Sequence, residues 1–396
     1  MKKTAWYKRV ISMFVLVVLL FNMPAIAAES SDRENTINVA LYGYVPDIKR
    51  FKQAVIDEWR QVQPEVVLNF IEWDCYSSEP PENLDVFVFD SIFLSHFIEE
   101  DYLMPISAEQ INDKEDIINF TLEDSKFNDK IYAIPQIICT NLLYTRKDDF
   151  SLSEISNVYQ LYNVMGERNS DSIIPNKGEG LLIDMSDSTT KACLYLDALS
   201  DTNQEYSNYF ILPDLNRLNE NTVKSLKLLQ TMAGFNQSNF WPEDNDSYIR
   251  AKWFEMGIGR AFIGYTEAMN SMTDCINEIN FKTISLSNKR DYPLFNGDLV
   301  GINANLNECD KKDLAITLAN IIASDEVLIN SIRPNDSTQH PQYILPARFS
   351  VYNELKKDYP VYDQLLNIVS KPENKLFIMG PSSRTWLESA KDIILK

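Results

Sequence analysis

Histidine-assisted nucleophilic chemistry has few candidate residues in this chain, because His96 and His340 are its only histidines. His96 falls inside a predicted helix and His340 in a polar stretch, and neither lies at the end of a predicted strand. Cys–His and Ser–His–Asp sites need a histidine within hydrogen-bond reach of the nucleophile. We therefore interpret both histidines as structural or solvated, and we expect a carboxylate to act as the base in any cysteine site.

Cys139 and Glu267 are candidates for such a thiol–carboxylate pair. Cys139 ends the extended segment 130–138, and Glu267 follows the predicted strand 261–265. A free thiol has a pKa near ~8.5 and a glutamate near ~4.3, so proton transfer between them is uphill by roughly 6 kcal/mol. Burial of the glutamate raises its pKa and narrows this gap. A helix N-terminal acid that faces the helix dipole is an equally compatible interpretation of Glu267.

The other cysteines offer one rival nucleophile. Cys75 follows Asp74, whereas Cys193, Cys275 and Cys309 stand in no recognisable chemical pattern. The total of five is odd, so at least one thiol stays unpaired in a single chain. No CxxC, zinc-ligand, calcium-loop or phosphate-loop spacing is present. The sequence therefore predicts neither a metal nor a cofactor.

Strands and helices alternate along the chain with short links, which predicts an α/β protein with parallel sheets. The predicted strands cover residues 37–42, 66–70, 84–89, 130–138, 141–145, 261–265, 281–286 and 299–303, and the predicted helices 48–59, 151–168, 215–234, 310–323 and 351–369. Ligands of such sheets bind beyond the carboxyl ends of the strands. Tyr42, Asp90, Cys139 and Glu267 all fall at such ends, so we expect them to border a common crevice.

Composition and charge describe an acidic, secreted protein. The chain has 396 residues, of which 45% are hydrophobic, enough for two lobes with full cores. Residues 1–28 contain four basic side chains, an apolar run and an Ala-Ile-Ala site, which predicts a signal peptide. Its removal changes the formal net charge from −20 to −24. This charge disfavours nucleic acid and anionic membranes as partners, and weakly favours a cationic small molecule.

Several short segments resemble type II periplasmic solute-binding proteins. They include residues 100–106 (EDYLMPI), 130–135 (KIYAIP) and 142–147 (LLYTRK), which follow an early βαβ pattern. The resemblance implies two α/β lobes joined by crossing strands, with the ligand held in the cleft between them.

The expected lobe boundaries follow from this resemblance. Residues 37–140 and 292–345 would form lobe 1, and residues 141–291 and 346–396 would form lobe 2.

Longer segments resemble thiaminase I, a family that shares the binding-protein fold. Residues 136–143 (QIICTNLL) and 259–267 (GRAFIGYTE) look like the regions around its nucleophile and base. Residues 42–47 (YGYVPD), 84–93 (LDVFVFDSIF) and 341–348 (PQYILPAR) also look like the family. The resemblance implies a base exchange, in which a cysteine adds to C6 of the thiamin pyrimidine, the thiazole leaves, and an organic base or thiol takes the pyrimidine-methyl group. It makes Cys139 the nucleophile and Glu267 its base.

Acidic and aromatic side chains would complete the substrate site. Asp90 and Asp298 suit the pyrimidine nitrogens, the exocyclic amine and the cationic thiazolium, although solvated loop acids would fit the sequence as well. We expect four tyrosines to pack against the substrate rings or to donate hydrogen bonds to them, although ordinary packing would also explain the presence of these residues. They are Tyr42, Tyr76, Tyr248 and Tyr265. Trp73 and Tyr44 are weaker candidates.

Two functions remain as alternatives to a monomeric, metal-free transferase. The first is a non-catalytic binding protein for thiamin or a related pyrimidine, and the second is the sugar-binding protein of an importer. No cysteine closely follows the apolar run, which argues against a lipid anchor of the kind that importer proteins use. The Cys139–Glu267 pair also disfavours both alternatives.

Overall fold

The computed structural model describes residues 35–186, 188–202, 209–307, 309–336 and 340–395. The predicted signal peptide, residues 1–28, lies outside them. The described strands are β1 Thr36–Ala40, β2 Val67–Phe70, β3 Val86–Asp90, β4 Lys126–Phe127, β5 Lys130–Ile131, β6 Ala133–Cys139, β7 Asn141–Arg146, β8 Lys177–Ile183, β9 Gly259–Tyr265, β10 Ile279–Lys282, β11 Leu294–Ile302, β12 Leu345–Pro346 and β13 Lys375–Leu376.

Helices cover both sheets. They are α1 Ile48–Val62, α2 Leu94–Glu99, α3 Asn119–Asp124, α4 Phe150–Ser153, α5 Val158–Met165, α6 Ser188–Thr202, α7 Glu220–Ala233, α8 Phe235–Ser238, α9 Ile249–Glu255, α10 Lys312–Ile322, α11 Asp325–Ile332, α12 Phe349–Leu355, α13 Val361–Val369 and α14 Ser383–Ala390. Among the described residues no single helix is long and apolar enough to cross a membrane, although α10 and α11 meet the length and composition as a pair bent by 44°.

Helix α1 illustrates how the local sequence sets an element. The Asp47 side chain accepts a hydrogen bond from the backbone N–H of Arg50 at 3.0 Å, which caps the helix start. Phe51, Val55 and Trp59 recur at helical spacing and are buried against the first sheet. The Trp59 indole also donates to the carbonyl of Val66 at 2.8 Å, so the helix fixes the entry into β2.

The first sheet has the strand order β12-β6-β11-β3-β1-β2, with β13 paired to β11. Strands β2 and β3 run parallel to β1, whereas β11 runs antiparallel to both β3 and β6. The prediction of parallel sheets was therefore wrong for the central pairs. The reason is topological: β3 and β6 end at the cleft edge, while β11 enters the sheet from that edge after the chain returns from the second sheet.

The second sheet has the order β10-β7-β9-β8. Strand β7 is antiparallel to β9 and β10, and β8 is parallel to β9. Thr140 alone separates β6 from β7, so the chain crosses between the sheets there. The Thr140 hydroxyl donates to the carbonyl of Leu294 at 2.8 Å, where the chain crosses back. This hydrogen bond links the two chain segments that pass between the sheets.

Two predicted helices are each broken in two. The helix predicted at residues 151–168 is α4 and α5, because the Asn157 side chain caps a new start by accepting from the N–H groups of Tyr159 and Gln160. The helix predicted at residues 351–369 is α12 and α13, with Pro360 immediately before the second. Proline lacks an N–H donor and favours a helix start over a helix interior.

The lobe boundaries stay a prediction, and the C-terminal contacts lead us to refine them. Strand β13 pairs with β11, and the Arg348 guanidinium donates to the carbonyl of Ala323 at 2.6 Å. The Tyr362 hydroxyl in α13 donates to the carbonyl of Ile344 at 3.3 Å. We propose that residues 346–382 belong with the first sheet rather than the second, whereas α14 packs on α6.

Candidate active site

The pairing of strands in the first sheet places one group of site residues together at the sheet edge that borders the cleft. Asp298 of β11 pairs directly with Asp90 of β3. On the other side of β11, Asn296 pairs with Cys139 of β6. Because residues two apart on a strand share a face, Asn296 and Asp298 point the same way. Three neighbouring strands thus bring two carboxyl groups, an amide and a thiol together.

The second sheet supplies the candidate base. Asn141 of β7 pairs with Tyr265 of β9, which brings Glu267 beside Cys139. The Cys139 thiol and the Glu267 carboxyl both line the cleft, and each is close enough to shift the pKa of the other. The Thr266 hydroxyl donates to Glu267 Oε2 at 3.3 Å. The two residues of the pair predicted from sequence therefore lie side by side between the two sheets.

A cleft of about 640 Å³ opens over this pair. All eight predicted site residues line it: Tyr42, Tyr76, Asp90, Cys139, Tyr248, Tyr265, Glu267 and Asp298. The weaker candidate Tyr44 also lines the cleft, whereas Trp73 packs against Phe87 and Phe97 instead. The rival nucleophile Cys75 is only 2% exposed and is absent from the described cleft wall.

The site holds two buried carboxyl groups, Asp90 and Asp298, and the half-buried Glu267, and these groups face little positive charge. Burial raises the pKa of Asp90 to about 6. Burial, and then the neighbouring charges of Asp90 and Glu267, hold the pKa of Asp298 well above its usual range. Burial also raises the pKa of Glu267. Among the described cleft residues Arg250 alone is basic, and its Nη1 lies 3.5 Å from Asp184 Oδ2. The cleft therefore suits a cationic ligand.

The surroundings of the Cys139 thiol favour its neutral form. Burial is the main cause that raises its pKa, followed by the charges of Glu267, Asp298 and Asp90. A cation bound near the sulfur would oppose these effects and lower the pKa. The arrangement can therefore keep the thiol protonated until a positively charged substrate arrives.

A chain of tyrosine hydroxyls leads to Asp90. The Tyr76 hydroxyl donates to Asp90 Oδ2 at 2.5 Å. Since this uses the single hydroxyl proton of Tyr76, the contact of 3.2 Å between the two hydroxyls makes Tyr42 the donor. The ring of Tyr44 lies 5.3 Å from that of Tyr42 and 5.8 Å from that of Tyr76. These three rings form an aromatic wall next to the carboxyl group.

The histidines lie apart from this chemistry, whereas Cys193 is a second thiol in the cleft wall. His96 contacts Glu79 at 2.9 Å, and His340 is exposed. All five cysteines, each within the described part of the chain, are free thiols. The described residues also contain no group of three or more His, Cys, Asp or Glu side chains arranged to hold a metal ion.

Sequence analysis missed several residues of the cleft wall. Asn296, Asn141, Asp184 and Trp241 all line it. The period-2 pattern of a strand was a usable signal for Asn296, because it stands two residues before Asp298. Asp184 follows β8, a strand that was not predicted.

Comparison with known proteins identifies the family. Residues 140–287 match the family model described as Thiaminase-1 domain, and residues 43–168 match the model described as Bacterial extracellular solute-binding protein. The chain is 45% identical over 390 residues to Thiaminase-1 from Paenibacillus thiaminolyticus, which covers 98% of this chain and 95% of that protein.

Solved structures agree with this match. Clostridium botulinum thiaminase I in complex with thiamin is 52% identical, with a TM-score of 0.89 over 90% of this chain and 98% of that chain. Maltose-bound MalE3 from T. maritima shares the fold alone, at 14% identity and a TM-score of 0.66 over 91% of this chain and 94% of that chain. The predicted two-lobed, type II binding-protein-like α/β fold is confirmed. With nearly full-length similarity of this degree, the chain belongs to the thiaminase I family.

Proposed function

We propose that this protein is a base-exchange transferase that cleaves thiamin, with Cys139 as nucleophile and Glu267 as base. Family membership supports the activity, and the position of the Cys139 thiol beside the Glu267 carboxyl in the cleft supports the roles of these residues. A non-catalytic binding protein has no need for this pair. The cleft must then bind three chemical groups, namely the aminopyrimidine, the thiazolium cation and the nucleophile that accepts the pyrimidine-methyl group.

Attack begins when thiamin brings its thiazolium charge into the acidic cleft. The cation offsets the carboxylates that raise the pKa of Cys139, so the thiol proton passes more easily to Glu267. The sulfur forms a bond to C6 of the pyrimidine, and the ring takes up the electron pair. Because Glu267 is half-buried and has a raised pKa, it is a better proton acceptor than an exposed glutamate.

Transfer follows in three steps. The C–N bond between the bridging methylene and the thiazolium breaks, the thiazole nitrogen leaves with that electron pair, and the pair held by the ring forms a double bond between C5 and the methylene carbon. An organic base, or a thiol that loses its proton to solvent, then bonds to the methylene carbon, and the electron pair of that double bond returns to the ring. Finally the C6–S bond breaks, the ring regains its aromatic electrons, and the sulfur recovers its proton from Glu267. The last step restores the free thiol and the Glu267 carboxylate, so the complete cycle returns the enzyme to its starting state.

The substrate-binding roles follow from the same chemistry. We assign the aminopyrimidine to the pocket of Asp90 and Asp298, which can exchange hydrogen bonds with its nitrogens. Tyr42 and Tyr76 hold Asp90 in place. Tyr248 and Tyr265, on the second-sheet side of the cleft, would contact the thiazolium or the incoming nucleophile.

The decisive experiment mixes thiamin with pyridine or aniline and follows thiazole release. The wild-type protein should release thiazole, while Cys139→Ser should not, yet should still bind thiamin. Cys309→Ser is the matched control, because Cys309 is exposed and lies outside the described cleft wall. Tight binding of intact thiamin by the wild type, with every nucleophile tried, would establish the binding-protein alternative.

We also infer that the protein is secreted as a monomer after loss of residues 1–28. The basic residues, the apolar run and the Ala-Ile-Ala site of this segment support secretion, as does the solute-binding fold. Mass spectrometry of protein from the culture medium would test this by locating the mature N-terminus. An N-terminus at Met1, or protein found only in cells, would contradict it.

A further inference from the structure

Asn296 carries a carboxamide that the fold does not use. Its side chain lines the cleft and is 8% exposed, on a strand that is buried along its whole length. Its Oδ1 is shielded from solvent and has no hydrogen-bond partner among the described residues. No described residue accepts a hydrogen bond from its Nδ2, so this donor is available to a ligand in the cleft.

The position of Asn296 relative to the nucleophile suggests that use. Asn296 pairs with Cys139 across neighbouring antiparallel strands. Side chains of directly opposed residues lie on the same face, with Cβ atoms about 4.5–5.5 Å apart. A group bonded to the Cys139 sulfur therefore lies against the Asn296 carboxamide.

An electron-rich ring in the cleft is stabilised by hydrogen-bond donors. Asp90, Glu267 and Asp298 are acceptors when ionised, and the Tyr76 hydroxyl already donates to Asp90. Addition of sulfur to C6 increases the electron density on the pyrimidine nitrogens. A neutral amide N–H next to that carbon can stabilise this density without adding a charge to the site.

We propose that Asn296 Nδ2 donates a hydrogen bond to the pyrimidine nitrogen adjacent to C6, the carbon that Cys139 attacks. C6 has two ring neighbours: C5, which carries the methylene and accepts no hydrogen bond, and N1, which does. The bond fixes the ring orientation that presents C6 to the sulfur, and it strengthens as N1 gains electron density. This assignment rests on the proposed function and adds a substrate contact to it.

Ligand analogues in a catalytically silent protein test the contact. The Cys139→Ser protein and the Cys139→Ser/Asn296→Leu protein are titrated with thiamin, with an analogue that has CH in place of N1, and with an analogue that has CH in place of N3. Loss of Asn296 should weaken binding of thiamin and the N3 analogue about tenfold, and should leave the N1 analogue unchanged. Equal losses for all three ligands, or no loss for thiamin, would overturn the proposal.

Two controls keep this result separate from other failures. Asn374→Leu in the same background removes another fully buried amide with an unpartnered Oδ1, which lies outside the described cleft wall, and it should bind all three ligands like its parent. Asn296→Ser replaces the leucine variant if that protein does not fold, with the same expected pattern. Failure of the unmodified protein to release thiazole would contradict the proposed function, whereas a normal wild-type rate with equal ligand losses contradicts only the role of Asn296.

Discussion

Cys139 and Glu267 are each two residues away from one member of the same cross-strand residue pair. Asn141 of β7 is directly opposite Tyr265 of β9. Cys139 precedes Asn141 by two residues, and Glu267 follows Tyr265 by two. Because the strands are antiparallel, both residues leave the ladder at the same edge of the second sheet, where the carboxyl group raises the pKa of the thiol.

Replacement of Glu267 should have opposite effects on thiol reactivity and on catalysis. Besides burial, the charge of Glu267 raises the pKa of Cys139, so Glu267→Gln should lower that pKa and speed alkylation of Cys139 by iodoacetamide. The same variant loses the proton acceptor, so thiazole release should slow about 10²–10⁴-fold. Peptide mass spectrometry measures alkylation site by site, with exposed Cys309 as an internal reference. Slower alkylation of Cys139 together with slower catalysis would contradict this account.

The pH dependence of kcat/KM should show an acid limb near pH 6. Burial raises the pKa of Asp90 to about 6, so this group is ionised above that pH and neutral below it. The ionised form attracts the thiazolium cation, and kcat/KM should therefore fall as the pH drops through 6. Asp90→Asn should lower the plateau about tenfold and displace the limb. The measurement is a kcat/KM profile from pH 4.5 to 8.5, and an unmoved limb in the variant would exclude Asp90 as its origin.

Tyr76 should set the pH at which kcat/KM falls on the acid side of the profile. Its hydroxyl donates to Asp90 at 2.5 Å, and this hydrogen bond lowers the pKa of Asp90 against the effect of burial. Tyr76→Phe removes the bond, so the pKa of Asp90 and the acid limb should both move to higher pH. Tyr42→Phe is the matched comparison, because Tyr42 contacts the Tyr76 hydroxyl at 3.2 Å and should move the limb less. A larger displacement with Tyr42→Phe would reverse the assignment.

Asp298 should reduce the stability of the protein at neutral pH. Burial, together with the charges of Asp90 and Glu267, raises the pKa of Asp298 in the folded state, so the native protein holds a proton that the unfolded chain releases above a pKa near ~3.9. The free energy of unfolding therefore falls as the pH rises from ~3.9 towards the raised pKa of Asp298 in the folded state. Asp298→Asn should therefore raise the Tm by roughly 2–4 °C at pH 7.5.

The gain from Asp298→Asn should become small near pH 4, where the carboxyl group is neutral in the folded protein and about half neutral in the unfolded chain. Differential scanning calorimetry at the two pH values measures this difference, and a gain of equal size at both would point to a cause other than ionisation. The variant should also lose thiazole release, since the carboxyl group belongs to the proposed substrate pocket.

Local sequence was sufficient for most elements around the cleft. The apolar run before Asp90 and the helical spacing of Phe51, Val55 and Trp59 predicted β3 and α1, because burial of one face leaves a periodic pattern. Strand β8 was missed, since Gly178 and Gly180 interrupt its apolar character. Helix α6 was missed as well, because its apolar residues follow the helical period only weakly.

The sequence by itself determined which side chains are chemically able to act. With two histidines available, a cysteine and a carboxyl group were the remaining pair, and strand ends together with the family resemblance pointed to Cys139 and Glu267. Only the tertiary structure decided how these groups meet. The antiparallel entry of β11 sets Asp298 opposite Asp90 and Asn296 opposite Cys139. Such pairing depends on backbone hydrogen bonds between distant segments, and a local pattern does not encode the direction or register of a strand that arrives from another lobe.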